Sequence, residues 1–265
     1  MKNKNVDIYF FTGTGNTYLA AKKISAVMKN NGCEANLLNM ENAKPENVDL
    51  SKTLGIGFPI ACWNTYPVVR KFVKALPDGA GAEVFVFATM GDSSLKTSEN
   101  IASVLKKKVY SVLAAKGFKM PNNWLGITTE EKNAAKKEKT YTQIESFASD
   151  LAGGSSKYSK ANLFFKLCFV VTSLITNVFW KGKLWQNIIR FKTDKRKCSK
   201  CELCVKICPV SNITMTEYPE FGKNCQLCMR CFSYCPEQAL KSSVTGKKRY
   251  KALDDREAME CFLRK

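Results

Sequence analysis

The first 150 residues predict an α/β fold with a doubly wound, five-stranded parallel sheet, and a small cysteine-rich α+β unit is expected nearer the carboxyl terminus. Two observations support this fold class. Apolar, strand-like runs alternate with stretches of helical periodicity up to about residue 150. Eight of the twelve cysteines then fall between Cys198 and Cys235. The chain therefore combines a sheet-based unit with a unit organised by cysteine.

Five apolar runs mark the predicted strands. They span residues 6–11, 33–38, 53–58, 83–89 and, with a weaker pattern, 119–124. Amphipathic stretches lie between them, and two of these have apolar residues at helical spacing. The first has Leu19, Ile24, Val27 and Met28, and the second has Ile101, Val104, Leu105, Val109, Val112 and Leu113. Apolar strands separated by helices predict a parallel sheet covered on both faces.

The segment "LAGGSSKYSK" interrupts this alternation and predicts a boundary. We expect an N-terminal domain over 1–152, a linker with connecting amphipathic helices over 153–191, a cysteine-rich domain over 192–245 and a basic tail over 246–265. Residues 163–180 are long enough to raise the question of a membrane span. Their polar residues favour a helix packed between domains, with an interfacial membrane helix and a true span as alternatives. The expected packing stripe is Phe164, Leu167, Cys168, Val171, Leu174, Ile175 and Val178.

Composition limits the chemistry. The chain has 42 basic and 23 acidic residues, a formal charge of +19, and no histidine. The absence of histidine removes the commonest general base and the usual nitrogen ligand of zinc and haem. No secretory signal is evident, so we expect a cytoplasmic, reducing setting in which cysteines act as thiolate ligands. The positive charge fits either anionic partners or a solvated lysine-rich surface.

The two cysteine runs are "CSKCELCVKICP" and "CQLCMRCFSYCP", and both read C-x2-C-x2-C-x3-C-P. This is the spacing of bacterial [4Fe–4S] proteins, in which the fourth cysteine ligates the other cluster. Two clusters with crossed fourth ligands are therefore expected, and two structural zinc sites are the alternative. The expected ligands are Cys198, Cys201, Cys204 and Cys235 for cluster one, and Cys225, Cys228, Cys231 and Cys208 for cluster two. Over residues 192–245 the repeat resembles the two-cluster ferredoxin domain.

The stretch "VDIYFFTGTGNT" runs from a predicted strand into a glycine-broken loop rich in hydroxyl groups. Such a loop is either a tight turn or a phosphate cradle. It has no lysine and does not read GxGxxG, so it matches neither a nucleoside-triphosphate P-loop nor a dinucleotide fingerprint. Its candidate binding residues are Thr12, Gly13, Thr14, Gly15, Asn16 and Thr17.

The loop resembles the [ST]-x-T-G-x-T phosphate loop of flavodoxins. That resemblance implies the strand order 2-1-3-4-5 and an FMN site at the switch point between strands 1 and 3. It also implies two ring-binding loops after strands 3 and 4, with Trp63 stacked on the flavin ring. The implied residues are Pro59, Ile60, Ala61, Cys62 and Trp63 in one loop, and Thr89, Met90, Gly91 and Asp92 in the other. Unlike many flavodoxins, this chain has no glycine in "WNTYP".

Over its whole length the chain resembles the fused flavodoxin plus two-cluster ferredoxin proteins of anaerobic bacteria and archaea. The resemblance implies FMN, two [4Fe–4S] clusters and electron transfer that converts between one- and two-electron carriers. Acidic redox proteins such as ferredoxin or flavodoxin, or a partner oxidoreductase, are the expected partners. Nucleic acid is not expected, and peripheral membrane contact stays open.

Two other function classes stay open at this point. The first is a reductase whose flavin acts directly on a small organic substrate, with the clusters as electron feed. No catalytic residue is assigned for it, and Tyr66, Asp92, Cys62 or solvent are the available proton donors. The second is a redox sensor that binds a membrane or nucleic acid.

Overall fold

The computed structural model describes residues 1–159, 162–181, 191–242 and 248–263. Its main sheet contains five parallel strands and one short antiparallel strand that pairs with the end of the middle strand. The strands are β1 (Asn5–Phe10), β2 (Glu34–Asn39), β3 (Thr53–Ala61), β4 (Asn64–Thr65), β5 (Glu83–Met90) and β6 (Ser111–Lys119). The order is β2-β1-β3-β5-β6, and β4 pairs only with the end of β3. The predicted doubly wound order is confirmed once β4 is set aside.

Helices cover both faces of this sheet, as expected for buried parallel strands. Three helices and a short 3-10 helix (Pro45–Asn47) connect the strands, and a fourth helix follows β6. The helices are α1 (Asn16–Asn30), α2 (Pro67–Ala75), α3 (Thr97–Lys107) and α4 (Glu130–Ala152). Alternate residues of each strand divide between two cores: Phe85 and Phe87 pack with α1 and α4, whereas Val84 and Val86 pack with α2 and α3.

The predicted fifth strand at 119–124 is wrong, because the strand is β6 at Ser111–Lys119. Helix α3 ends at Lys107, and Val109 turns the chain with a φ of +62°. Val112 and Leu113 therefore lie in β6, although they continue the helical spacing of α3. Short apolar runs fit either period, and the turn between these two elements has no glycine or proline to mark it.

Helix α5 spans Leu163–Lys181 and contacts α3 and β4. Its inner side includes Phe169, which packs against the core beside α2 and α3. The predicted stripe, in contrast, is largely exposed: Phe164, Leu167, Leu174 and Ile175 are each at least 60% exposed. The prediction that this stripe packs between domains is therefore wrong. No helix in the described ranges is long and apolar enough to cross a bilayer.

The cysteine-rich unit contains two antiparallel strand pairs and two short helices. Its elements are β7 (Phe191–Thr193), α6 (Leu203–Lys206), β8 (Ile213–Met215), β9 (Pro219–Phe221), α7 (Arg230–Tyr234) and β10 (Leu240–Ser242). Strand β7 pairs with β10 and β8 with β9. A last helix, α8 (Asp255–Leu263), packs Phe262 into the core beside α1 and α4. Parts of the predicted linker and tail, at 160–161, 182–190, 246–247 and 264–265, lie outside the described residues.

Candidate functional site

The loop between β1 and α1 forms a polar cradle. Gly15 caps α1 with a φ of +108°, which favours glycine. The Thr12 hydroxyl accepts a hydrogen bond from the Gly15 backbone N–H at 3.2 Å, and the Thr17 hydroxyl pairs with that of Thr89 at 2.7 Å. Among the residues that the structure describes, the buried Thr14 hydroxyl has no hydrogen-bond partner. Because the first N–H groups of a helix lack intrahelical partners, this loop can bind an anion.

A pocket of about 200 Å³ opens above this cradle, at the carboxyl edge of β1, β3 and β5. This is the point where the order of the sheet reverses, the usual ligand position in an open α/β sheet. Twelve of the fifteen predicted flavin-site residues line it. They are Thr12, Gly13, Thr14, Asn16, Thr17, Pro59, Ile60, Ala61, Cys62, Thr89, Met90 and Gly91.

Gly15, Trp63 and Asp92 do not line the pocket. Gly15 lies beneath the cradle, where a Cβ atom would overlap the side chain of Leu253. Trp63 is 55% exposed. The Asp92 carboxylate is 92% exposed and lies 3.6 Å from Lys119 Nζ.

Several pocket residues were not predicted from the sequence. They are Tyr66, Leu227 and the run Pro121, Asn122, Asn123, Trp124 and Leu125. The side-chain amide of Asn16 donates to the Pro121 carbonyl at 2.8 Å, which fixes this run over the start of α1. The sequence feature that could have indicated this run is the polar, proline-containing "PNNW" that follows β6. It was missed because a strand was assigned to residues 119–124. Trp124 thus supplies an aromatic wall that Trp63 was expected to provide.

The hairpin between β3 and β4 forms the opposite edge of the pocket. Cys62 and Trp63, its two central residues, have φ values of +50° and +58°, the left-handed pair of a type I′ turn. Neither is glycine, so the fold holds both in a conformation that side chains disfavour. Burial raises the pKa of Cys62, and its thiol is therefore neutral at pH 7.

The eight cysteines of the repeat surround two cavities. One cavity is lined by Cys198, Cys201, Cys204 and Cys235. The second is lined by Cys208, Cys225, Cys228 and Cys231. We call these cavity one and cavity two. In each, three cysteines of one run meet the fourth cysteine of the other, which is the crossed grouping expected from the spacing.

Backbone hydrogen bonds reach two of the cavity cysteines. Within the described ranges, no three Cys, Asp or Glu side chains come together as ligands of a single metal ion. Backbone N–H groups point at the fourth cysteines: Asn212 donates to Cys208 Sγ at 3.2 Å and Ala239 to Cys235 Sγ at 3.3 Å. Such N–H···S bonds favour the thiolate and tune a cluster's potential.

Burial opposes ionisation of these thiols. It raises the pKa of Cys204 to about 11 and that of Cys228 to about 12. The pKa of Cys231 is also raised well above its ordinary value by burial, and then by neighbouring cysteines. A bound cation of high charge is what makes such buried thiolates stable, because it reverses the local electrostatics.

Cavity two lies against the pocket. Leu227 lines the pocket, and the next residue, Cys228, lines cavity two. The Cys228 carbonyl is so close to Gly13 that a Cβ atom at Gly13 would overlap it. The loop between β1 and α1 is therefore in direct backbone contact with the cysteine-rich unit.

Arg230 joins the two units. It lies between Cys228 and Cys231 in the chain and is fully buried. Its guanidinium donates to the Thr12 carbonyl at 2.6 Å, to the Ile207 carbonyl at 3.0 Å and to both carboxylate oxygens of Glu41. Burial by itself would lower the pKa of Arg230, but Glu41 more than offsets this and the pKa is raised. Arg230 is therefore charged and holds the cradle against the cysteine runs.

Other residues of the C-terminal part also contact the cradle. The Tyr234 hydroxyl donates to the Thr14 carbonyl at 2.9 Å, and the Ala252 N–H donates to the same oxygen at 3.0 Å. The Tyr250 hydroxyl donates to Asn16 Oδ1 at 2.6 Å. These contacts join residues more than 200 positions apart, so no local sequence pattern indicates them.

A family model described as a 4Fe-4S binding domain matches residues 191–214. The N-terminal part is similar to rubredoxin oxygen:oxidoreductase from Desulfovibrio gigas, at 16% identity and a TM-score of 0.43, covering 58% of this chain and 38% of that one. The chain thus spans well under half the length of that enzyme.

Two flavodoxins are also similar to this part. The two-electron reduced flavodoxin of Megasphaera elsdenii has 22% identity and a TM-score of 0.42, over 54% of this chain and 97% of that one. A Fusobacterium nucleatum flavodoxin variant bound to flavin mononucleotide has 16% identity and a TM-score of 0.42, over 58% and 97%. No curated protein sequence matches the chain. The flavodoxin-like fold is assigned from the strand order of the sheet alone, because these structural similarities are weak.

Proposed function

We propose that this protein is an electron-transfer flavo-iron–sulfur protein that binds FMN in the pocket and a [4Fe–4S] cluster in each cysteine cavity. The observation that carries the proposal is the serial arrangement of the three sites. Leu227 and Cys228 connect the pocket with cavity two. Cys204 of cavity one and Cys231 of cavity two pack against the same buried cluster, which contains Met229 and Phe232.

The residues present fit FMN. The unpartnered Thr14 hydroxyl and the start of α1 would hold the phosphate. Trp124, Ile60 and Cys62 would line the ring. Bound FMN exchanges one or two electrons and each cluster one, so the combination connects the two kinds of carrier.

The remaining residues position these groups and exclude water. Arg230 and Tyr234 fix the cradle through its backbone carbonyls. Leu227 and Met229, both buried, lie on either side of Cys228 and form an apolar layer between the pocket and cavity two. Such a layer lowers the local dielectric and keeps solvent away from the sites.

Cavity one is the end that a partner protein reaches. Cys201 is exposed, and exposed Lys195, Arg196, Lys197 and Lys200 precede it in the chain. The formal charge is +19. Two clusters and a flavin phosphate each contribute a charge of about −2, so the protein with its cofactors would carry a formal charge of about +13. We therefore propose an acidic redox protein, such as a ferredoxin or a flavodoxin, as the partner at this end.

Anaerobic purification with quantification of FMN, iron and sulfide tests the cofactors. We expect one FMN and about eight iron atoms and eight sulfides per chain, four of each for every cluster. Bound zinc in place of iron, or about four iron atoms, would contradict two [4Fe–4S] clusters.

A second measurement separates a carrier from a reductase. A carrier passes electrons to an acidic ferredoxin and shows no turnover of small organic substrates with an artificial donor. Turnover of such a substrate by the isolated protein would favour the reductase, with the flavin acting directly on that substrate.

A further inference from the structure

One face of α5 is apolar and open to solvent. Its residues recur at intervals of three and four positions, so they fall within an arc of about 140° on a helix of 3.6 residues per turn. They are Leu163, Phe164, Leu167, Val170, Val171, Leu174 and Ile175, which are 46% to 82% exposed. We call this set the α5 face. A contiguous exposed apolar patch on a folded protein marks an interaction surface.

The fold itself turns this face outward. On the other side of the helix, Phe169 packs into the core beside α2 and α3. Before the helix, the Tyr158 hydroxyl donates to the Glu99 carbonyl of α3 at 3.1 Å and pairs with the Ser103 hydroxyl at 3.0 Å. Helix α5 is thus fixed to the N-terminal unit by other residues, and the residues of the α5 face are not needed for that packing.

The sequence that contains α5 is basic. Residues 151–193 contain no acidic residue and seven basic ones, namely Lys157, Lys160, Lys166, Lys181, Lys183, Arg190 and Lys192. The neighbouring helix α3 has exposed Lys106 and Lys107 near its end. Its single acidic residue, Glu99, is 8% exposed and pairs with Lys96 at 3.0 Å. An apolar face within a basic, acid-free segment suits a negatively charged apolar surface.

We propose that the α5 face binds the surface of an anionic lipid bilayer, with α5 lying in the plane of the interface. The apolar residues would enter the outer acyl region, and exposed Lys157, Lys106 and Lys107 would contact anionic headgroups. Charge argues against a second copy, since two acid-free segments would repel each other at such an interface. This inference does not depend on the proposed cofactors.

Vesicle co-sedimentation of the anaerobically purified full-length protein tests it. With vesicles of phosphatidylcholine containing about 30% phosphatidylglycerol, we expect most of the protein in the pellet at low salt. With phosphatidylcholine alone, binding should be at least about tenfold weaker, and added salt should weaken binding to the anionic vesicles. Failure to sediment with the anionic vesicles would overturn the proposal.

A matched pair of double variants identifies the surface. Leu167→Glu with Leu174→Glu should reduce binding at least about tenfold, because both positions are exposed and lie at the centre of the α5 face. Thr142→Glu with Gln143→Glu adds the same charge to exposed positions of α4 and should bind as the unmodified chain does. An unchanged circular dichroism spectrum and an unchanged midpoint of urea unfolding show that each variant is folded. Equal binding by both variants, or a dimer in solution that the first variant dissociates, would contradict the proposal.

Discussion

Trp124 and Trp63 differ in exposure and in the site they serve. Trp124 lines the pocket and packs against the cysteine-rich core, whereas Trp63 is 55% exposed and does not line the pocket. The resemblance to flavodoxins assigned the flavin ring to Trp63, because only the position of that loop in the chain was visible. The structure offers Trp124 for this role, and its contacts tie the aromatic wall to the cluster-binding unit.

We expect Trp124→Ala to weaken FMN binding about tenfold, since it removes the aromatic surface against which the ring would pack. Trp63→Ala should change the dissociation constant less than about threefold. Fluorescence titration of flavin-depleted protein measures both. If Trp63→Ala has the larger effect, the ring lies against the β3–β4 hairpin, as the resemblance to flavodoxins implied.

Arg230 is the second residue whose role depends on contacts invisible in the sequence. Its partner Glu41 is only 8% exposed and lies 189 positions away. Arg230→Met leaves that carboxylate buried without its cation, and we expect the free energy of unfolding to fall by about 3–5 kcal/mol. Anaerobic urea denaturation measures the change.

The double variant Arg230→Met with Glu41→Leu distinguishes a lost ion pair from lost packing. It removes both charges, so we expect it to recover at least half of the stability lost by the single variant. No recovery would indicate that the hydrogen bonds to Thr12 and Ile207, rather than the pair with Glu41, carry the stability.

At the scale of elements, four of the five parallel strands were predictable and the fifth was not. Buried parallel strands give apolar runs such as 53–58 and 83–89. The boundary between α3 and β6 was missed because Val109 turns the chain in a conformation that sequence does not favour. The stripe on α5 was recognised, but periodicity cannot say whether an apolar face is packed or exposed.

The β1–α1 loop combines a predictable and an unpredictable part. Its glycines and hydroxyls follow from the motif, but its contact with Cys228 does not. We expect Gly13→Ala to weaken FMN binding more than about tenfold and to lower the iron content, because the added Cβ meets a backbone carbonyl that cannot rotate away. Gly153→Ala, at the end of α4 where φ is −75°, is the control. Loss of FMN with an unchanged iron content would show that the two units are not coupled through this contact.

At the scale of the whole molecule, the spacing of the cysteines predicted the two groups of four that surround the cavities. The order of the sites was not predictable, because it depends on how the C-terminal unit sits on the sheet. Contacts of Arg230, Tyr234 and Ala252 with the loop place cavity two against the pocket. Cavity one, with exposed Cys201, is then the outer end of the series formed by the pocket and the two cavities.

Because cavity one is the outer end, we can predict how electron transfer to a partner protein depends on salt. Electron transfer to an acidic ferredoxin should slow by about tenfold between low and high ionic strength, since screening weakens attraction by the basic end. Lys197→Glu with Lys200→Glu should slow it at low salt, whereas Lys29→Glu, on the last turn of α1, should have little effect. Stopped-flow absorbance with pre-reduced protein measures the rates. Transfer that is independent of salt would mean that charge does not govern the encounter. Equal slowing by both changes would mean that overall charge alone governs it and that the partner does not dock beside cavity one.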